Sequence, residues 1–234
     1  MSPFGKPEPA PGPVLLPAAD DEYPLRGEGE AWSSSSGDKG LQSVDASLGR
    51  DMGDRMELPA KPTRTDWADF RARMPQLMDS AGVWEGWYRY YDAATGALVD
   101  QHRSRLFCRI MPEGAEFPYY QTNHYYWEDG RVDVREFPAW YADGRIWWDN
   151  ELITGWAAPM QPDDFHRTTV LNWTRRGEPG LYLYEMIQHA ANGIDRARSW
   201  QWFKDDRCYM RTLIDEKRVS RDWQGWTEAG PPDN

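Results

Sequence analysis

Alternation between apolar and polar residues runs through the chain from residue 81 onward and predicts β-strands rather than helices. The first such segment, 81–91, places Gly82, Trp84 and Gly86 in one row. Glycine inside a strand is unfavourable unless another backbone passes close by or the strand bends sharply. The two glycines therefore predict a curved strand whose Trp84 ring closes one end of a barrel. A twisted strand in a β-sandwich is the plainer alternative.

Alternating segments recur at intervals typical of an all-β protein. The predicted strands after the first cover 98–111, 117–127, 132–137, 139–141, 145–149, 168–175, 180–189, 196–204 and 207–219. Turn sequences such as Asp143-Gly144 separate them, and the segment 150–166 predicts an irregular connection because it holds two prolines. Short turns without an internal helix predict a single all-β domain, a closed antiparallel up-and-down barrel of about nine or ten strands.

A short helix is predicted immediately before the first strand. Thr63 or Thr65 can cap it, and the apolar residues Trp67, Phe70 and Met74 share one stripe. Pro75 should end or kink this helix, after which a further turn can follow. The stripe indicates that the helix covers one end of the barrel.

The remaining segments lie outside the predicted barrel, which we place at residues 63–225. Residues 1–62 are rich in Pro, Gly and Ser and predict a disordered arm, because this composition cannot bury enough apolar surface to offset its ordering entropy. A segment that orders on contact with a partner is the alternative for this arm. Residues 226–234 are polar and predict a flexible tail.

Composition excludes several classes of function. The net charge of −11 and the absence of a basic run argue against a nucleic-acid partner. No apolar segment is long enough for a signal peptide or a membrane span. Two widely separated cysteines are typical of reduced thiols in a cytoplasmic protein. The four histidines are scattered, so neither a metal nor a cofactor is predicted.

The motif Gly82-x-Trp84-x-Gly86-x-Tyr88, at the head of a meander of this size, resembles the calycin superfamily. That superfamily includes lipocalins, fatty-acid-binding proteins, nitrobindin-like barrels and bilin-lyase-like proteins. The segments that are most similar to uncharacterised bacterial calycin-like domains are 102–106, 120–123, 180–188 and 211–216. The resemblance spans 84–219 and implies a barrel with an internal ligand cavity. Nitrobindin-like barrels hold haem, but their ligand histidine has no counterpart identified here.

The third strand is the strongest candidate for a ligand site. Both of its rows are polar or aromatic, whereas an ordinary core strand places Val, Ile and Leu inside. Tyr119, Gln121, Asn123 and Tyr125 form the row that we expect to face inward, and His124 belongs to the opposite row. Buried polar groups need partners, so they indicate a ligand, ordered water or a satisfied internal network.

Other strands add further candidates. Glu185 becomes a buried general base if its row faces inward, and pairs with an arginine across the sheet if it faces outward. Arg103 and Arg105 share one face and could grip an anionic group, although a solvated charge row is the common alternative. Tyr88 and Trp202 are expected to contact the ligand through their rings.

Three functions remain open at this point. The first is a cofactor-independent lyase, isomerase or cyclase acting on an aromatic or polycyclic molecule, with His124, Glu185 and Tyr119 moving protons. The second is a non-catalytic carrier of a hydrophobic or pigment-like ligand. The third, implied only by the resemblance, is a bilin-lyase-like chaperone. Whether the protein forms a homodimer is also left open.

Overall fold

A computed structural model of the protein describes residues 57–227 and 230–232. The arm predicted for residues 1–62 therefore lies almost wholly outside the described residues. The described part contains two short helices, α1 (Trp67–Arg73) and α2 (Pro75–Ser80), followed by ten strands. The strands are β1 (Gly82–Asp92), β2 (Leu98–Ile110), β3 (Tyr119–Tyr126), β4 (Val132–Ala142), β5 (Arg145–Asp149), β6 (Ile153–Pro159), β7 (Thr168–Arg175), β8 (Leu181–His189), β9 (Asp195–Lys204) and β10 (Arg207–Ser220).

Each strand pairs antiparallel with the next, and β10 returns to pair with β1, so the sheet closes into a ten-stranded up-and-down barrel. The prediction of an all-β, closed antiparallel up-and-down barrel of about nine or ten strands is confirmed. Closure gives each strand a neighbour on both sides, although β4 pairs with the short strand β5 only over residues 140–142.

Two details of the strands differ from the sequence prediction. Strand β6 falls inside the segment predicted to be irregular, because Pro159 stands at the end of the strand, where a missing N–H is tolerated. The segments 132–137 and 139–141 join into the single strand β4 across Pro138.

The glycines of β1 act as the sequence predicts. A side chain at Gly86 would lie 2.0 Å from the carbonyl oxygen of Asp215, so β10 crosses β1 there too closely for any other residue. Gly82 adopts a φ of 140°, which other residues rarely adopt. The β1–β10 register shifts between Val83 and Trp84, where the strand bends. Trp84 lies fully buried beside this bend.

The two helices close one end of the barrel. Asp66 caps α1 by accepting hydrogen bonds from the backbone N–H groups of residues 68 and 69, and Pro75 begins α2. Phe70 packs against the Tyr141 ring, with the two ring centroids 4.9 Å apart. The indole N–H of Trp84 donates to the carbonyl oxygen of Ser80 at 2.8 Å, which ties the end of α2 to β1. We refer to the opposite end of the barrel, where Tyr90, Trp127 and Trp202 line the interior, as the mouth.

Candidate functional site

The barrel interior holds a cavity of about 130 Å³. Its walls are mainly aromatic and aliphatic, and Leu77 and Ser80 of α2 form part of its lining at the closed end. Side chains near the other ends of the strands line it toward the mouth: Tyr90, Trp127, Arg135, Trp173, Arg175 and Trp202. A drug-sized ligand occupies roughly 300–1,000 Å³, so this cavity suits a smaller molecule.

Strand β3 contributes a ladder of hydrogen bonds to this cavity. Tyr119 Oη donates to Gln121 Oε1, Gln121 Nε2 donates to Asn123 Oδ1, and Asn123 Nδ2 donates to Tyr125 Oη, each at 2.7 Å. The ladder therefore ends at the Tyr125 hydroxyl, whose hydrogen has no acceptor among the described residues. Burial raises the pKa of Tyr125, so this hydroxyl keeps its proton and can donate it to a ligand.

A chain of buried charges crosses the interior from β8 to β10. Arg198 Nε donates to Glu185 Oε1 at 2.5 Å, and Arg196 Nε donates to Glu216 Oε2 at 2.5 Å. Arg198 Nη1 also reaches Glu216 Oε1 at 3.4 Å, so the four side chains alternate in charge. None of the four is more than 6% exposed, so their charges are screened mainly by each other.

Tyr88 joins this network from β1. Its hydroxyl donates to Glu216 Oε1 at 3.2 Å and accepts from Arg198 Nη1 at 2.8 Å. Burial alone would raise the pKa of Glu216, but the adjacent guanidinium groups of Arg196 and Arg198 outweigh it and lower that pKa. Glu216 is therefore held as a carboxylate, and burial raises the pKa of Tyr88 well above its usual value.

His102 lies toward the mouth and is 1% exposed. Its Nε2 lies 3.0 Å from Tyr90 Oη, and its Nδ1 lies 3.2 Å from the carbonyl oxygen of Arg103. These contacts fit a neutral imidazole that donates from Nδ1 and accepts from the tyrosine. Burial lowers the pKa of His102 to about 4, so the ring is neutral at neutral pH.

Two tryptophans of the cavity lining have unused hydrogen-bond donors. Trp148 and Trp200 both line the cavity, and their indole N–H groups are buried with no acceptor among the described residues. A buried N–H without an acceptor costs about 1–3 kcal/mol. The indoles of Trp67, Trp140 and Trp226 also lack acceptors but lie outside the cavity lining. Two of the five unpaired indole N–H groups in the described part of the chain thus belong to residues of the cavity lining.

The structure brings most of the predicted site residues into the interior. Tyr119, Gln121, Asn123 and Tyr125 line the cavity, as do Glu185 and Trp202, while Tyr88 belongs to the buried network beneath it. The expectation that this row of β3 faces inward agrees with the lining of the cavity. Glu185 faces inward too, but it pairs with Arg198 instead of standing alone in an apolar wall.

The structure places His124 on the outer row of β3, away from the cavity lining. Its ring stacks near Phe107 and Tyr126, with centroids 5.5 Å and 6.3 Å away. His124 is therefore separated from Glu185 and Tyr119, the two residues with which it was predicted to transfer protons.

Arg103 and Arg105 also lie on the outer face, where they bind the C-terminal residues. Arg105 pairs with Glu85 at 2.5 Å and donates to the carbonyl oxygen of Gly230 at 2.9 Å. Arg103 Nη1 donates to the carbonyl oxygen of Pro232 at 2.5 Å. These arginines therefore fasten part of the segment predicted as a flexible tail, and they do not line the cavity.

The sequence analysis did not select Arg196, Arg198, Glu216, Trp148 or Trp200 as site residues. A signal was present in β9, where arginine and tryptophan occupy every second position from 196 to 202. Alternating arginines ordinarily indicate a solvated row, so only the closure of the barrel shows that this row faces inward.

The described residues contain no group of His, Cys, Asp or Glu side chains arranged to hold a metal ion. Within the same part of the chain, no helix is long and apolar enough to cross a membrane.

No protein-family model matches the sequence, and no curated protein matches it. Among solved structures, the chain is similar to a protein of unknown function from the DUF3598 family of Nostoc punctiforme, with 15% identity and a TM-score of 0.47. That match covers 61% of this chain and 49% of the Nostoc protein, so the chain spans about half of its length. The chain is also similar to the S-type phycobiliprotein lyase of Guillardia theta, with 15% identity, a TM-score of 0.46 and coverage of 62% and 89%. Likenesses this distant carry no information on ligand or activity.

Proposed function

We propose that this barrel binds a small molecule with one aromatic ring and a hydrogen-bond-accepting group, such as a carboxylate or a carbonyl, inside its cavity. The observation that carries the proposal is that Trp148 and Trp200, two residues of the cavity lining, have buried indole N–H groups without acceptors among the described residues. Buried donors are satisfied in most folded proteins, so an acceptor from a ligand completes this site.

The shape of the cavity supports a single ring. Its volume of about 130 Å³ is close to that of apolar cavities of about 150 Å³ that bind benzene. The walls include Leu171, Ile146 and the indole of Trp173, which provide apolar and aromatic surface. A pigment-sized or polycyclic ligand, which the sequence also left open, would need the mouth residues to move apart.

The charges of the interior support an acceptor-bearing ligand. Arg135 and Arg175 line the cavity toward the mouth, and Arg196 and Arg198 line it further inside. The carboxylates of Glu185 and Glu216 neutralise the two inner arginines, which leaves the donors of Trp148, Trp200 and Tyr125 for a ligand. A carboxylate on the ring would accept from these donors in a site where screening by water is weak.

The geometry favours binding over the acid–base catalysis predicted from the sequence. Glu185 is engaged by Arg198 at 2.5 Å, and Tyr119 donates to Gln121 and has a pKa raised far above neutrality by burial. A general base works best when its pKa lies near the operating pH. We therefore propose a carrier or sensor role, and we retain the cytoplasmic location and the small aromatic partner as part of the same proposal.

A panel of simple probes tests the proposal by isothermal titration calorimetry on the full-length chain. Benzoate and benzamide should bind, whereas toluene, which has the same ring without an acceptor, should bind at least tenfold more weakly. Biliverdin serves as the pigment-sized probe. Binding of biliverdin without binding of benzoate would replace the single-ring ligand by a pigment, and slow conversion of a bound probe would restore the enzyme hypothesis.

A further inference from the structure

A second pocket lies on the outside of the closed end of the barrel. It has a volume of about 460 Å³ and is formed by α2, the β8–β9 turn, the end of β10 and the loop before β7. Three arginines line it, Arg167, Arg218 and Arg221, and the only carboxylate in its lining is that of Asp79. A cationic pocket is unexpected in a chain with a net charge of −11.

Two residues that line this pocket, Gln76 and Arg218, carry buried polar atoms without partners among the described residues. Gln76 is 2% exposed, and neither its side-chain nitrogen nor its oxygen has a hydrogen-bond partner among the described residues. The Nε and Nη1 atoms of Arg218 are likewise buried without an acceptor. Native proteins satisfy nearly all such groups, and here four unpaired polar atoms belong to two residues that line the same pocket.

Among the residues that line the pocket, one carboxylate, that of Asp79, opposes the positive charge of the three arginines. Arg218 donates through Nη2 to the backbone carbonyl of Asp79, not to its carboxylate. Burial, together with the charges of Arg221 and Arg196, lowers the pKa of Arg218. His189 is neutral at neutral pH because burial, Arg196 and Arg218 lower its pKa to about 3. An anion in the pocket would relieve this mutual repulsion.

We propose that this pocket binds a phosphate monoester whose organic part carries a hydroxyl group. The forked donors of Arg167, Arg218 and Arg221 suit the oxygen atoms of a phosphate group. Gln76 supplies one donor, its Nε2, and one acceptor, its Oε1, so it can bind a phosphate oxygen and a hydroxyl hydrogen together. The site is separate from the barrel cavity, although the Trp84 ring contacts both Arg196 on the cavity side and Arg218 in the pocket.

Calorimetry with inorganic phosphate, glycerol 3-phosphate and glycerol tests this assignment on the full-length chain at constant ionic strength. Glycerol 3-phosphate should bind about tenfold more tightly than inorganic phosphate, and glycerol should not bind, because the hydroxyl contributes only once the phosphate is held. Absence of binding by both phosphates would overturn the site.

Two variants assign the contacts. Gln76→Leu should weaken glycerol 3-phosphate binding about tenfold while the unliganded protein melts at the same or a higher temperature, because the buried unpaired amide is gone. Arg221→Gln should weaken both phosphates at least tenfold, and Arg207→Gln, an exposed arginine outside this pocket, should weaken neither. If Gln76→Leu binds both phosphates like the wild type, Gln76 does not contact the ligand. Equal losses in the Arg221 and Arg207 variants would show a general charge effect and overturn the pocket.

Discussion

Trp84 at the closed end and Trp200 in the cavity wall are both buried tryptophans, but they differ in whether the indole N–H has a hydrogen-bond acceptor. Trp84 is fully buried, and its N–H donates to Ser80 O at 2.8 Å. Trp200 is 8% exposed, lines the cavity and has no acceptor for its N–H among the described residues. Trp84 therefore has a satisfied indole N–H, whereas the proposed ligand would supply the acceptor that the Trp200 N–H lacks.

The largest expected effect is on the free energy of unfolding, when the Trp84 ring is removed from the closed end. Trp84→Ala should lower the free energy of unfolding by about 3–5 kcal/mol, because it removes a fully buried aromatic ring and leaves a cavity. Urea denaturation monitored by far-UV circular dichroism measures this loss. Trp202→Ala is the matched change near the mouth, where the ring is half-buried, and should cost less. Equal losses would show that the two ends do not differ in packing.

Acid should destabilise the protein through His102. The folded-state pKa is about 4 because of burial, below the unfolded value of about 6.5. The unfolded state therefore binds more protons between these values, so the stability that is present above pH 6.5 is lost as the pH falls toward 4. Relative to His102→Gln, the wild type should lose roughly 3 kcal/mol between pH 7 and pH 4. Parallel stability curves for the two proteins would contradict the buried, neutral histidine.

The inward and outward rows of β3 should differ in their effect on ligand binding. Replacing Gln121 by Leu and Asn123 by Val breaks the ladder that positions the Tyr125 hydroxyl, so benzoate affinity should fall about tenfold or more. The matched double variant on the outer row, Thr122→Val with His124→Gln, should keep benzoate affinity within about twofold. Calorimetry compares the benzoate binding constants of the wild type and the two double variants, and a larger loss in the outer-row variant would reverse the assignment of the rows.

The smallest stability effect sharpens the comparison of the two tryptophans. Trp84→Phe loses a satisfied hydrogen bond and leaves the Ser80 carbonyl without its donor, so it should destabilise the protein by about 1–3 kcal/mol. Trp200→Phe removes an N–H that has no acceptor, and should change the stability of the unliganded protein by less than about 1 kcal/mol. Denaturant midpoints of both variants measure the difference. A similar loss in both would show that the Trp200 N–H is already satisfied.

Much of the fold could be predicted from alternation and glycine placement, but the site only in part. The period of two fixes which residues share a row, and Gly86 marked the close crossing of β10. The alternation of Arg196, Arg198 and Trp200 does not show whether this row faces the barrel interior or the solvent. An arginine row can face solvent, or it can face inward and pair with buried carboxylates. Glu185 and Glu216, which neutralise that row, lie on the neighbouring strands β8 and β10, and such cross-strand pairs form equally well on either face of the sheet.

The contacts of Arg103 and Arg105 could not be predicted from the sequence for a similar reason. Sequence alone shows two arginines on one face of a strand, and anion binding is one use of such a pair. The structure shows that they hold backbone carbonyls of Gly230 and Pro232 on the outer surface. The partners lie 129 and 125 residues away along the chain, and contacts at such separations have no local sequence signal.

Two-dimensional ¹⁵N NMR of the tryptophan indole groups, with benzoate titrated into the full-length protein, tests the central claim most directly. Single tryptophan-to-phenylalanine variants assign the resonances. The indole N–H signals of Trp148 and Trp200 should move downfield together as an acceptor binds, while that of Trp84, already bonded to Ser80, should stay in place. Unchanged Trp148 and Trp200 signals at benzoate concentrations that saturate the calorimetric binding would contradict a ligand site inside the barrel.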